Sequence, residues 1–326
     1  MPALSRRLVL TSAAALCAIG SAAHASVKYP TKPVTMIVAT SPGSGPDVIA
    51  RIVADRLSQS WGQQVTVMNK VGGFGSVALQ AVTVSPADGH TLVVCIASTF
   101  IVWPEMQKSA AIELQREITP VGLLGVQPMI IAVNPTVGAN TLGELATITH
   151  QRPDEILYGG VRGAIPHLTG ARLASTGALK WRYIPSPAPR AIQDVMSGSM
   201  HGAIESLAAL ISPIQAGLLR GLAVTSASRL PGLPDLPTVR EAVPELGDFQ
   251  ARGWVVLMAR NGTPVEIVRK INEELLTMMA NPDVVQRLVA LGTYPEPLTP
   301  SETDEFIRRE KDLWRPVVQS LDLATQ

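Results

Sequence analysis

The sequence predicts an α/β fold built on a mostly parallel sheet. Three observations carry this. Short continuous apolar runs alternate with segments of helical spacing. Glycine-rich turns sit where a run hands over to a helix. The length, 326 residues, makes about two domains at roughly 150 residues each.

The elements follow in order. Val34–Ala39 is an apolar run of the kind found in strands covered on both faces. The turn Ser41-Pro42-Gly43-Ser44-Gly45-Pro46-Asp47 leads into a helix, with Val48, Ile49, Ile52, Val53 and Leu57 on one side. Gln64–Met68 reads as a strand, Ser76–Val84 as a helix and Thr91–Ala97 as a strand. Met129–Val133 is a strand and Thr141–His150 a helix; Ile156–Tyr158 and Trp181–Ile184 are short strands. Ala191–Met196 and Leu207–Ala216 are helices, and Gly221–Thr225 is a strand. Leu230–Pro237 carries three prolines and reads as an extended connector. Beyond it the chain is helical. Thr263-Pro264-Val265-Glu266 and Thr299-Pro300-Ser301-Glu302 both read as capping boxes with proline at the first helical position. Asn281-Pro282 starts a further helix that ends near Gly292.

Composition narrows the function. Apolar residues are 46% and charged residues 16%, enough to bury a core and too few charges for disorder. Aromatics are 4%, which argues against a base-stacking surface. A net charge of +1 argues against nucleic-acid or anionic-membrane partners, which need basic excess. Residues 1–25 have the layout of an export signal: Arg6-Arg7, an apolar stretch, then small residues to Ala23-His24-Ala25. Cleavage is expected after Ala25, by the general secretory or the twin-arginine route, so the mature protein is read as exported. Without Arg6 and Arg7, 25 basic residues face 26 acidic ones, a net charge of −1. Only Cys95 then remains, inside an apolar strand, and is read as an inert core thiol.

Two loops stand out. Pro42–Asp47 would let backbone N–H groups and the positive end of a helix face an anion. It can equally be an ordinary glycine-rich turn. Gly159–Pro166 repeats the arrangement before a helix that His167 opens, so two such loops could face each other across a cleft. Gly73-x-Gly75-x-x-Ala78 is a weak dinucleotide match with no acid at the right distance, and no Walker lysine follows either loop. No nucleophile-elbow motif and no metal-spaced histidine pair is present, so no cofactor, metal or catalytic residue is expected.

The ordered landmarks resemble the solute receptors of tripartite tricarboxylate transporters, the Bug receptors. They run from Tyr29-Pro30 through Pro42-Gly43-x-Gly45-x-Asp47, Asn69 with Gly72 and Gly75, and Pro86–Leu92. Asn134-Pro135, Tyr158-Gly159, His167-Leu168, Leu222–Ser226, Leu233–Ala242 and Gly262-Thr263-Pro264 follow. The resemblance implies a two-domain periplasmic-binding-protein fold of the Venus flytrap, type II-like kind, each domain a mostly parallel sheet flanked by helices. Domain 1 would be 26–125 with 228–326 and domain 2 would be 126–227, with hinge crossovers near 122–128 and 221–228. It implies a monomeric receptor that captures a small carboxylate (a di- or tricarboxylate, an aromatic carboxylate or an acidic amino acid). The receptor would pass that ligand to membrane permease subunits. The ligand-binding residues it implies here are Ser41, Gly43, Ser44, Gly45, Asp47, Ser98, Thr99, Arg162, Gly163, His167 and Glu205.

The sequence departs from the family at this pocket. Thr40-Ser41-Pro42-Gly43-Ser44-Gly45-Pro46-Asp47 replaces the usual glycine triplet, Tyr183–Pro187 replaces a lysine-bearing segment, and Glu205 stands where aspartate is usual. Arg162 stands where small residues are usual; it could fork onto a carboxylate, pair with Glu205, or be solvated. Two other functions compete: an exported sensory receptor with the same pocket, and an exported hydrolase using Ser44 or Ser98 with His167.

Overall fold

The computed structural model describes residues 28–107, 113–321 and 323. The expected export signal lies outside the described residues. The strands are β1 (Val34–Val38), β2 (Val65–Asn69), β3 (Thr91–Ile96), β4 (Ile118–Val133), β5 (Leu157–Gly160), β6 (Arg182–Pro185), β7 (Gly202–Ser206), β8 (Arg220–Val224) and β9 (Arg252–Arg260). Among the described residues they join in the order β2-β1-β3-β9-β4-β7-β5-β6, and β8 also pairs with β4.

The sheet has two halves that share one strand. β4 pairs with β9 over Ile118–Pro128 and with β7 over Met129–Val133. In the first half β1 lies parallel between β2 and β3. In the second, β5 lies parallel between β6 and β7. Antiparallel pairs are confined to those made by β4 and β9.

Continuous apolar runs are explained by covering on both faces. Val34, Met36 and Val38 pack with Ile49, Val53, Leu57, Ile271 and Leu275 of the helices Gly45–Trp61 and Val265–Met279. On the other face Ile37, Val93 and Cys95 pack with Leu79, Phe100, Trp254, Phe306 and Trp314. Each fully buried aliphatic side chain contributes about 1.5–3 kcal/mol. Burial also pushes the Cys95 thiol up, consistent with an inert core group.

Three readings need correction. β9 was not anticipated, although seven of its nine residues are buried and it is central in the sheet. Turns at Gly247-Asp248 and Asn261-Gly262 bracket the run, but it lies beyond the proline-rich connector in a stretch read as helical throughout. Ala97 belongs to a short helix, Ala97–Ile101, and not to β3. Thr263 forms no capping box: Pro264 is the N-cap of Val265–Met279, and the Thr263 hydroxyl donates to the Arg260 carbonyl at 2.7 Å. The box at Thr299 forms, with Thr299 and Glu302 bonding each other's backbone amides.

Candidate functional site

The two glycine loops have one backbone design. Gly43 and Gly163 take φ of +79° and +76°, a left-handed conformation that glycine adopts without a side-chain clash. The next residue is the N-cap, Ser44 (φ −70°, ψ 159°) or Ala164 (φ −76°, ψ 159°). Pro46 and Pro166 follow at the second helical position, where a missing N–H costs nothing. In each loop the fourth residue after the glycine turns back and accepts its amide. Gly43 N–H donates to Asp47 Oδ2 at 2.9 Å, and Gly163 N–H donates to His167 Nδ1 at 3.1 Å.

The bracing groups differ in charge. Asp47 is 1% exposed and also accepts from Arg51 (Nε and Nη2, 3.0 Å each) and Asn69 Nδ2 (2.7 Å). Burial alone would raise its pKa. The hydrogen bonds from Arg51, Asn69 and the Gly43 amide, with the Arg51 charge, outweigh that and hold it below the ordinary value. His167 is 4% exposed and stacks on Tyr183 with ring centroids 3.7 Å apart. Burial, then the Arg162 charge, push its pKa down to about 4, so Nδ1 is an acceptor at neutral pH.

Both helices start at the wall of one cavity of about 230 Å³. Gly45 and Pro46 come from the first loop, and Ala164, Ile165 and Pro166 from the second. Ile96, Ala97 and Ser98 come from the end of β3 and the helix after it. Glu205 and Ser206 end β7, where the helix Leu207–Gln215 begins. Gln127, Met129, Gly253 and Trp254, from β4 and β9, complete the wall. The N-caps Ser44, Ala164 and Ser206 make no side-chain cap bond. Thr141, Thr238, Asn281 and Thr299 do cap their helices, away from the cavity. At the cavity three helix N-termini therefore present backbone N–H groups with no cap bond from their N-cap side chains, a setting that favours an anion; at the third, the neighbouring Glu205 carboxyl accepts from the Ser206 amide.

Of the side chains expected to bind, Gly45, Ser98 and Glu205 line the cavity. Gly43, Ser44 and Asp47 build the first loop, with Ser44 Oγ donating to the Ser41 carbonyl at 2.7 Å. Gly163 and His167 build the second loop, and the Ser98 hydroxyl reaches the Gly163 carbonyl at 3.4 Å. Thr99 lies elsewhere, fully buried under the Gly75 turn, where a β-carbon on Gly75 would come within 2.6 Å of its hydroxyl. Arg162 lines a separate cavity of about 100 Å³ with Phe74, Met106 and Leu323. Glu205 and Arg162 thus line different cavities, which leaves the pairing idea without support. No Ser–His bond occurs among the described residues, and His167 Nδ1 is already engaged by the Gly163 amide.

Gln127, Ser206 and Trp254 were missed by the sequence reading. Ser206 had a signal, a polar residue between the apolar β7 and an apolar helix. Gln127 and Trp254 had none, because they meet only through the β4–β9 pairing.

The sequence pattern of the tripartite tricarboxylate transporter family receptor matches residues 49–323, most of the chain. The chain belongs to that family. The receptor is 31% identical to BugT of Bordetella pertussis over 89% of this chain and 90% of that protein. Among solved structures it is similar to a Rhodopseudomonas palustris protein with adipate (TM-score 0.78, 27% identity, covering 89% of this chain and 97% of that one). It is also similar to MatC of Rhodopseudomonas palustris with bound malate (TM-score 0.73, 26% identity, 89% and 100%). The periplasmic binding protein BugD gives TM-score 0.73 at 26% identity, covering 90% and 98%. The receptor therefore has the two-domain periplasmic-binding-protein fold and is a periplasmic solute-binding receptor, not an enzyme. Among the described residues no helix is long and apolar enough to cross a membrane.

Proposed function

We propose that the receptor captures a small organic carboxylate between its two glycine loops and delivers it to the permease of a tripartite tricarboxylate transporter. The observation that carries this is the convergence of three uncapped helix N-termini on one cavity. None of its lining side chains is basic. The anion would be held by backbone amides, the Ser98 and Ser206 hydroxyls and bridging water. Asp47 and His167 would act behind the loops, holding Gly43 and Gly163 in place. That two similar proteins were solved with adipate and with malate supports a carboxylate.

The binding cycle would be a hinge closure between residues 26–125 with 228–326 and residues 126–227. The crossovers at 122–128 and 221–228 would form the hinge. In support, β4 changes partner at Pro128–Met129, and Thr225 joins it there: Met129 N–H donates to Thr225 Oγ1 at 2.8 Å, and Thr225 N–H to the Met129 carbonyl at 2.9 Å. The exported chain would lose residues 1–25 and work as a monomer.

A thermal-shift screen against mono-, di- and tricarboxylates and acidic amino acids tests the reading. A ligand at a hundredfold excess over Kd stabilises by about 2.7 kcal/mol, a shift of several degrees. Stabilisation by one carboxylate class is the expected result. Stabilisation by neutral amides or aromatics alone, with every carboxylate silent, would overturn it.

A further inference from the structure

Glu205 is the one ionisable side chain among the described residues that line the cavity. It ends β7 beside the N-terminus of the helix Leu207–Gln215, facing a wall that the first loop also shares. The other residues that line the cavity with it are uncharged; on the helix Ala188–Met196, which packs on β7, Arg190 pairs with Asp194 at 3.5 Å. β4 offers Gln127 and Met129, and β9 offers Gly253 and Trp254. The second loop offers Ile165 and Pro166, and the helix after β3 offers Ser98. Asp47 is turned back onto Gly43 and Arg51, His167 onto Gly163, and Arg252 is engaged with Glu296 and Glu310. An acid on the wall of an anion site with no cation to offset it repels the ligand while it is ionised. It becomes useful when it carries a proton, because a carboxylic acid donates a strong hydrogen bond to a carboxylate.

We propose that Glu205 selects dicarboxylates by donating its own carboxyl proton to the ligand's second carboxylate, so that a dianion enters together with one proton. This rests on the carboxylate reading above and names the ligand class within it. The balance is simple: ionised Glu205, one proton from solvent and the dianion give protonated Glu205 hydrogen-bonded to the dianion. The helix N-termini take the first carboxylate and Glu205 the second. Burial pushes the Glu205 carboxyl up to about 7 against the pull of the Ser206 amide, so the proton is taken up close to neutral pH.

Isothermal titration with succinate, glutarate and adipate, in phosphate and in Tris buffer at each pH, tests this; hexanoate is the control. For the wild type, net proton uptake is expected with the dicarboxylates, rising toward one per site between pH 7 and 8.5. Their affinity should fall about tenfold per pH unit above 7. Hexanoate should bind with less pH dependence. Glu205→Gln carries a permanent donor of the same shape, so its dicarboxylate affinity should be flat in pH with no proton uptake. Dicarboxylate binding without proton uptake in the wild type overturns the proposal alone. So does selective binding of L-glutamate through its amine, lost in Glu205→Gln. Silence with every carboxylate overturns the carboxylate reading itself and this proposal with it. The wild-type measurement in two buffers decides the matter even if the variant does not fold.

Discussion

The loop before the helix Gly45–Trp61 and the loop before the helix Ile165–Ser175 share a left-handed glycine, an extended N-cap and a proline in the first turn. They differ in the acceptor that turns back to the glycine amide. In the first it is an ionised carboxylate, shared with Arg51 and Asn69. In the second it is a neutral imidazole, held against Tyr183. The geometry needs only a lone pair at the right place, and the chain supplies it with two chemistries. The consequence is electrical. The first brace carries a negative charge offset by a cation, the second carries none, and acid affects them over different pH ranges.

The largest expected effect separates the two by pH. The folded pKa of His167, about 4, lies below its ordinary 6.5. The unfolded chain then binds the extra proton, so stability from this group is complete above pH 6.5 and is lost as pH falls toward 4. The loss is roughly 3 kcal/mol. Glu205 titrates the other way, its raised value removing stability as pH rises from 4.5 toward 7. In the wild-type curve the Glu205 change therefore opposes the His167 change. The measurement is the difference between wild type and His167→Asn, which keeps an acceptor near Nδ1 and does not titrate. In urea unfolding the variant should gain on the wild type by roughly 3 kcal/mol between pH 6.5 and 4. A difference that is constant over this range would mean that His167 is not held neutral.

A smaller effect follows from removing the first brace. Asp47→Ala leaves the Gly43 amide and Asn69 without their shared acceptor, at a cost of about 2 kcal/mol at pH 7. The Asp47 contribution is present above the ordinary carboxylate value of 3.8 and is lost only below it, as pH falls through the lowered folded value. The gap between Asp47→Ala and wild type should therefore stay level from pH 7 to pH 5. A gap that narrows across that range would assign the bracing to another group.

The smallest effect compares the glycines. Either to alanine pays about 1 kcal/mol for the left-handed backbone. A β-carbon on Gly43 meets nothing within 4 Å. One on Gly163 meets Val102 at 3.2 Å and Phe74 at 3.4 Å. Gly163→Ala should thus lower the melting temperature more than Gly43→Ala, and equal shifts would show that Val102 and Phe74 yield freely.

Much of the fold was legible because its signals are local. Val34–Val38 and Thr91–Ile96 read as covered strands from their apolar runs, and Thr299 and Glu302 announce a helix start four residues long. Thr263 failed as the same signal because Pro264 took the N-cap and the threonine hydroxyl turned back to Arg260. β9 was missed although it is central and flanked by the turns Gly247-Asp248 and Asn261-Gly262, because a short apolar run beside long helical segments does not by periodicity alone tell strand from helix. The pocket divides in the same way. Gly43, Asp47, Gly163 and His167 build their loops through contacts four residues apart, so the repeated pattern could be seen in one dimension.

What the sequence determined by itself is the α/β class, the two glycine loops that lead into helices and the absence of a catalytic motif. All three follow from periodicity, backbone conformation and residue type over a few neighbours. What only the tertiary structure decided is which side chains share a cavity. Glu205, Ser98, Gln127 and Trp254 meet because β4 runs through both halves of the sheet, pairing with segments far from it in sequence, such as Gln127 with Gly253 and Ile130 with Glu205. Asp47 and His167 are engaged by the Gly43 and Gly163 amides, and Arg162 lines a different cavity. Spacing along the chain fixes local geometry, while long-range pairing fixes which charges share one desolvated space.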